Sequence, residues 1–239
     1  AVTRYTPQAV LVAIIEEARY QTLLTEDGKS LVRARYAVRN NQRTFLAVTL
    51  PEGGALWSAA ISGRPVRPGR SPEGALLLPL EKTRAGEEAP AFVAEIVYFQ
   101  RGPAWSDRGH VALPLPALDL PVSRTGVEVR YSPRFRLTPE AGAFREEAYE
   151  GPRLQALEGA GAATLQKDSS ADKRKAAAGE TQGLIDQLAK GSRGRAVAGV
   201  LPLRVPFVDM GGLLYLTAEL TAETQAPVVA LAFRRGGAQ

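Results

Sequence analysis

The sequence predicts an all-β fold: an antiparallel β-sandwich, built as two sandwich-like units with a partly helical insertion near residues 151–198. Three observations predict it. Apolar residues recur with a period of two at Val32, Ala34, Tyr36 and Val38, at Leu46, Val48 and Leu50, and at Val127, Val129 and Tyr131, which marks half-buried strands. The apolar segments are separated by tracts such as Glu26-Asp27-Gly28-Lys29 and Asn40-Asn41-Gln42, whose residues accept positive φ and close tight turns. From Gly151 to about residue 198 the composition shifts to Ala, Gly, Ser and charge, and strand patterning stops.

Taken in order, residues 8–108 form the first expected sandwich. The apolar run Ala9 to Ile15 is too short to span a bilayer as a helix and reads as a strand buried on both faces. Ala18 to Leu50 reads as three consecutive antiparallel strands. Pro51-Glu52-Gly53-Gly54 then turns the chain into a strand at Leu56 to Ile61. The Pro- and Gly-dense tract Arg67 to Gly74 is a loop, Ala75 to Leu80 a strand, and Thr83 to Pro90 a polar loop. Phe92 to Phe99 is apolar on both faces apart from Glu95, which marks a central strand covered on two sides.

The second expected unit combines residues 109–150 with 199–239. Pro114 and Pro116 demote Val111 to Leu118 to an edge or connecting strand, and Gly126 to Tyr131 is a clear alternating strand. Between the two parts, Gly151-Pro152 starts a short helix containing Leu154 and Leu157. Ser169 and Asp172 form a weak capping box, and Thr181 to Lys190 makes a helix with Leu184, Ile185 and Leu188 on one stripe, capped by Gly191. Leu214, Leu216, Ala218 and Leu220 then alternate with polar residues, and Val228 to Phe233 reads as a two-faced strand. These last strands need partners, because an isolated hairpin is marginal in water. Val127 to Arg136 is the natural one.

Composition narrows the chemistry. The 239 residues contain no cysteine, which excludes disulfides, thiol catalysis and Cys-ligated zinc. The single histidine, His110, excludes multi-histidine metal sites. A net charge of +5, carried mostly by arginine, allows an anionic partner without requiring one. Ala1 in place of Met leaves a removed signal peptide and a trimmed chain both open.

The segments YAVRNNQRTFLAVTLPEGGALWSAAISGRPVRP, FVAEIVYF and LPALDLPVSRTGVEVRYSP together resemble β-sandwich modules of large, uncharacterised envelope proteins of Gram-negative bacteria. The tail LPLRVPFVDMGGLLYLTAELTAET resembles the strand pair that follows a helical linker in the same proteins, whereas Val127 stands where that family often has Trp. The resemblance implies an exported, periplasmic or cell-envelope protein with no transmembrane segment in this chain. It implies a non-catalytic structural or interaction module, an accessory subunit of a membrane-associated assembly, and carries no catalytic motif. A carbohydrate-binding module or an accessory domain of a hydrolase is the alternative.

The residues are in keeping with that. His110 with Asp107 or Asp119 and a loop serine lacks the G-x-S-x-G elbow of an oriented nucleophile. The adjacent pairs Glu16-Glu17, Glu87-Glu88 and Glu146-Glu147 point to opposite faces of a strand and read as solvated charge. Gly159-Ala160-Gly161 has no phosphate-cradle context. No catalytic residue, metal ligand or cofactor is therefore expected. The candidate partner surface is basic: Arg33, Arg35 and Arg39 form one outward row, Arg43 follows the turn, and Arg64, Arg67 and Arg70 line a nearby loop. It suits a protein partner in a membrane-associated complex or an anionic membrane or envelope surface; nucleic acid is disfavoured by the lack of interleaved aromatics. Trp105, in a polar loop, is the candidate ligand aromatic, and Trp57 reads as core.

Overall fold

The structure, a computed structural model, describes residues 13–81, 91–148, 151–154, 156–157 and 207–236. The expectations for Ala9 to Val12, for the loop 83–90, for the capping box and the helix Thr181 to Lys190, and for Leu201 to Pro206 lie outside the described residues. The strands are β1 (Ala13–Leu24), β2 (Lys29–Asn40), β3 (Phe45–Thr49), β4 (Ala55–Ile61), β5 (Arg64–Pro65), β6 (Gly69–Arg70), β7 (Leu76–Pro79), β8 (Phe92–Arg101), β9 (Arg108–Pro114), β10 (Ala117–Leu118), β11 (Val122–Tyr131), β12 (Phe135–Pro139), β13 (Arg145–Glu146), β14 (Gly212–Thr221) and β15 (Val228–Arg235). The fold is all-β, as the patterning predicts. Among the described residues, a helical turn at Ala156 and Leu157 is the exception.

Three sheets share the strands. An eight-stranded sheet runs β13-β14-β11-β1-β2-β8-β4-β5, a four-stranded sheet β10-β3-β7-β6, and a three-stranded sheet β12-β15-β9. Strands on both sides of the expected boundary at residue 108 pair in the large sheet. The terminal strands find their expected partners, with Val127 of β11 opposite Leu216 of β14 and Leu137 of β12 opposite Phe233 of β15. One pairing departs from the antiparallel expectation: β1 and β11 run parallel, with Tyr20 opposite Val127. A parallel pair needs a long crossover rather than a hairpin, and the chain between these two strands supplies one.

The opening meander is also not three paired strands. β1 and β2 form the expected hairpin, but β3 leaves for the four-stranded sheet. The free edge of β2 is taken by β8, a 10-residue strand in register from Lys29 opposite Arg101 to Val38 opposite Phe92, against which the 5-residue β3 offers a shorter ladder. Asn40 therefore makes a corner between sheets. Its Nδ2 donates to the carbonyls of Arg43 (2.9 Å) and Glu81 (2.8 Å), and its Oδ1 accepts from the Arg43 N–H (2.9 Å).

One apolar core joins all three sheets, through Ile15, Tyr36 and Ile96 of the large sheet, Leu46, Leu78 and Leu118 of the second, and Leu137, Leu231 and Phe233 of the third. Strand β8 is covered on both faces, as expected: Ala94, Ile96 and Tyr98 enter this core, and Val93, Val97 and Phe99 are buried on the other side. Two expectations are corrected. β15 is buried on one face, since Val229, Leu231 and Phe233 point inward while Val228 is exposed. The β14 alternation breaks at Leu220, which has φ 48° and is 77% exposed where the strand ends. No helix among the described residues is long and apolar enough to cross a membrane.

The core also buries phenols. Tyr20 and Tyr36 meet edge to face, centroids 5.9 Å apart, and Tyr98 and Thr22 carry buried hydroxyls with no hydrogen-bond partner among the described residues. Burial pushes the Tyr20, Tyr36 and Tyr98 phenols above their ordinary 10.0. The folded chain thus keeps protons that the unfolded chain releases above pH 10, so this contribution is complete below that pH and is lost as pH rises through it. We expect the unfolding free energy, read from urea titrations, to fall above pH 10 by up to about 1.4 kcal/mol per pH unit for each buried tyrosine. Tyr98→Phe, which loses no hydrogen bond at neutral pH, should make that decline shallower; an unchanged decline would contradict the burial of its phenol.

Candidate functional site

Period-two alternation does place Arg33, Arg35 and Arg39 on one face of β2, opposite the apolar core. That face is covered at Arg35 and half-covered at Arg33 and Arg39, rather than one solvated row. Arg35 is 8% exposed, and its Nη1 donates to the Leu157 carbonyl at 2.9 Å. Leu157 is itself fully buried, packed with Leu154 and Ala156 against Ala37 and Val93. The Arg33 guanidinium lies 4.6 Å from the centre of the Phe207 ring, and burial lowers its pKa while Glu95 opposes the shift. Arg39 Nε donates to Glu16 at 2.8 Å. Arg43, at the corner, pairs with the Asp119 carboxylate and donates to its carbonyl at 2.8 Å.

Beside this row sits a cluster that sequence reasoning missed. Glu17 is 2% exposed and Arg19 5%; Arg19 Nε donates to Glu17 Oε1 at 2.6 Å. The other Glu17 oxygen accepts the N–H groups of Arg153 (3.0 Å) and Leu154 (3.2 Å), and Arg19 Nη2 donates to the Gly151 carbonyl at 2.8 Å. Arg19 also donates to the Tyr215 hydroxyl. Together with Arg35, these groups fasten residues 151–157 over the sheet. At the other end, Arg130 donates to Glu128 (2.5 Å) and to the Phe207 carbonyl (2.9 Å), while Phe207, Met210 and Trp57 pack on Leu23, Leu31, Val97 and Phe99. Trp57 therefore belongs to this second cluster; it sits where the β4–β8 register shifts between Leu56 and Ser58.

Signals for the cluster exist in the chain. Glu16 and Glu17 do not point apart: a bulge between Ile15 and Glu17 leaves both on the arginine face, while Ile15 and Ala18 on either side enter the core, and Glu16 pairs with Arg39 and Glu17 with Arg19. A charged pair flanked by apolar residues on both sides, in Ile14-Ile15-Glu16-Glu17-Ala18, is a poor fit to a solvated face. Gly126, in mid-strand, marks a close approach: a Cβ there would lie 2.5 Å from the Tyr215 hydroxyl and 2.9 Å from Arg19 Nη1.

Arg64, Arg67 and Arg70 are exposed, on the crossing from β5 to β6 that links the edge of the large sheet to the edge of the second. Beneath it lies an open groove of about 200 Å³, lined by Ile61, Val66, Pro79 and Leu80 with Arg64 and Glu81 at its rim. Phe45, 47% exposed, stands opposite Pro79 in the β3–β7 ladder. Trp105 is half-buried: its ring stacks on Phe233 (4.7 Å) and meets Phe135 edge-on (5.2 Å). The loop carrying it is stitched to the β1–β2 turn by Trp105 N–H donating to Glu26 (2.8 Å) and Gly102 N–H to Gly28 (2.6 Å), where Gly28 at φ 79° has no room for a Cβ. His110 is exposed and contacts Glu140. Among the described residues no cluster of metal-ligating side chains occurs.

Gly126→Ala tests the buried cluster. Crowding Tyr215 and Arg19 should cost about 1–3 kcal/mol in urea unfolding, whereas Gly151→Ala, with open space around its Cα, should stay within about 0.5 kcal/mol of the parent. Equal effects would contradict the close approach.

No family model and no curated protein matches the chain. Among solved structures, it is similar to the M1 zinc metallopeptidase from Deinococcus radiodurans, at 12% identity and a TM-score of 0.40, over 58% of this chain and 36% of that one. It is also similar to native yeast LTA4 hydrolase, at 7% identity and a TM-score of 0.37, over 57% of this chain and 25% of that one. The chain thus spans well under two thirds of the proteins it matches.

Proposed function

We propose that this chain is a non-catalytic interaction module of the bacterial cell envelope, an accessory subunit that docks on a protein partner through the basic corner at Arg64, Arg67 and Arg70. The observation that carries the reading is the division of the arginines. Arg35, Arg39 and Arg43 hold carbonyls and carboxylates of the chain itself and Arg33 covers Phe207, while the corner arginines are exposed and enter no ion pair among the described residues. An exposed cationic corner costs little in stability and steers an acidic partner. Placement outside the cytoplasm is part of the proposal and rests on the resemblance of the turns and core strands to envelope modules. The carbohydrate-binding alternative leaned on Trp105, which has one ring face against Phe233.

The test is cross-linking and pull-down from native membranes with the full chain and with Arg64→Glu/Arg67→Glu/Arg70→Glu. We expect the parent to recover a defined complex and the charge-reversed chain, equally stable, to lose it. Retention of the complex by the variant would move the docking surface elsewhere, and fractionation of the native protein with the cytosol would refute the envelope placement.

A further inference from the structure

The groove at the basic corner is too small for an ordinary small-molecule site and suits a single side chain. Its volume of about 200 Å³ falls below the range of about 300–1,000 Å³ in which ligand pockets lie. The floor is apolar, from Ile61 at the end of β4, Val66, and Pro79 and Leu80 at the end of β7. Val66 is held there by its N–H donating to the Ala59 carbonyl at 3.0 Å, so the crossing strand forms a fixed wall. The apolar surface continues across the β3–β7 ladder to Phe45. Arg64 and Glu81 are the charged residues of the lining, and Arg67, next to the lining residue Val66, is exposed.

Resting on the partner-docking reading above, we propose that this groove receives one large apolar side chain of an acidic peptide segment on the partner, with Arg64 and Arg67 pairing the carboxylates that flank it. An apolar anchor in a pocket ringed by complementary charge is the arrangement in which few residues carry most of an interface's affinity. Charge complementarity selects the acidic peptide. Glu81, which also lines the groove, disfavours a carboxylate set against it. The same glutamate disfavours an anionic lipid surface, which would press negative charge onto the whole rim. Arg70 lies farther along the second sheet, opposite Leu76, and contributes to steering rather than to the groove.

The test uses the full chain and a fluorescein-labelled peptide of alternating Glu and Leu, read by fluorescence anisotropy. Controls are the same peptide with Ala in place of Leu, and phosphatidylglycerol vesicles. The Leu peptide should bind saturably. The Ala peptide should bind at least tenfold more weakly, as should the Leu peptide to Arg64→Glu/Arg67→Glu and to Val66→Phe, which fills the groove; circular dichroism confirms that each variant is folded. Equal binding of Leu and Ala peptides, no binding of either, or vesicle binding without peptide binding would each overturn the proposal. If it is overturned while the membrane-derived complex survives in Val66→Phe, the docking reading stands and the surface lies elsewhere. Loss of any recoverable complex with the parent chain sinks the docking reading itself.

Discussion

The Glu17–Arg19 pair, whose arginine lies with the Tyr215 hydroxyl in the space left by the missing side chain of Gly126, is the constraint on which the large sheet depends. An eight-stranded sheet exposes two broad faces. The core claims one of them, through Tyr36, Ile96 and Leu216. The other carries Arg19, Arg35, Arg124 and Glu128 at burial levels where an unpaired charge would cost several kcal/mol. It is tolerable because each charge meets an opposite charge or an oriented backbone group. Glu17 alone serves Arg19 and two amides of the overlying segment, and Arg19 and Arg35 hold the carbonyls of Gly151 and Leu157. The charged belt therefore acts as a clasp, with apolar clusters on either side of it around Leu157 and around Phe99.

That arrangement changes what the arginines mean. On β2 they sit on one face, where alternation puts them, but Arg35 holds the Leu157 carbonyl, Arg33 covers Phe207 and Arg39 pairs with Glu16 of β1. Guanidinium groups suit the task, since each offers several donors in a fixed fork and stays charged when covered. Among the described residues the corner arginines enter no ion pair. The chain covers some of its arginines inside and leaves others exposed beside an apolar groove. The sequence alone, in which all are simply Arg, shows no such separation.

How much was legible follows from range. The strands at Val32 to Val38, Phe92 to Phe99 and Val127 to Tyr131 were readable because side-chain period and burial are local properties. The β1–β2 hairpin was readable because Gly28 sits in its turn. The destination of β3 was not, because choosing between β2 and β7 is a competition among edges settled by the length of β8, far along the chain. Leu220 fits the alternation yet lies outside, since the strand ends in a left-handed turn that no period reports. Glu17 was misread because a strand's two faces look alike in sequence until one knows what covers each. The mid-strand Gly126 was the available clue, and its partner Arg19 lies on a strand brought alongside by the parallel pairing of β1 with β11.

The central claim is that the outer face of the large sheet is an interior closed by charge. A double-mutant cycle on Glu17→Ala and Arg19→Ala, followed by urea unfolding, tests it most directly. The account predicts strong coupling, with the double variant at least about 2 kcal/mol more stable than the sum of the single losses implies, because each single change strands a buried partner. Single losses that add to within about 0.5 kcal/mol, the behaviour of independent or solvated charges, would contradict it.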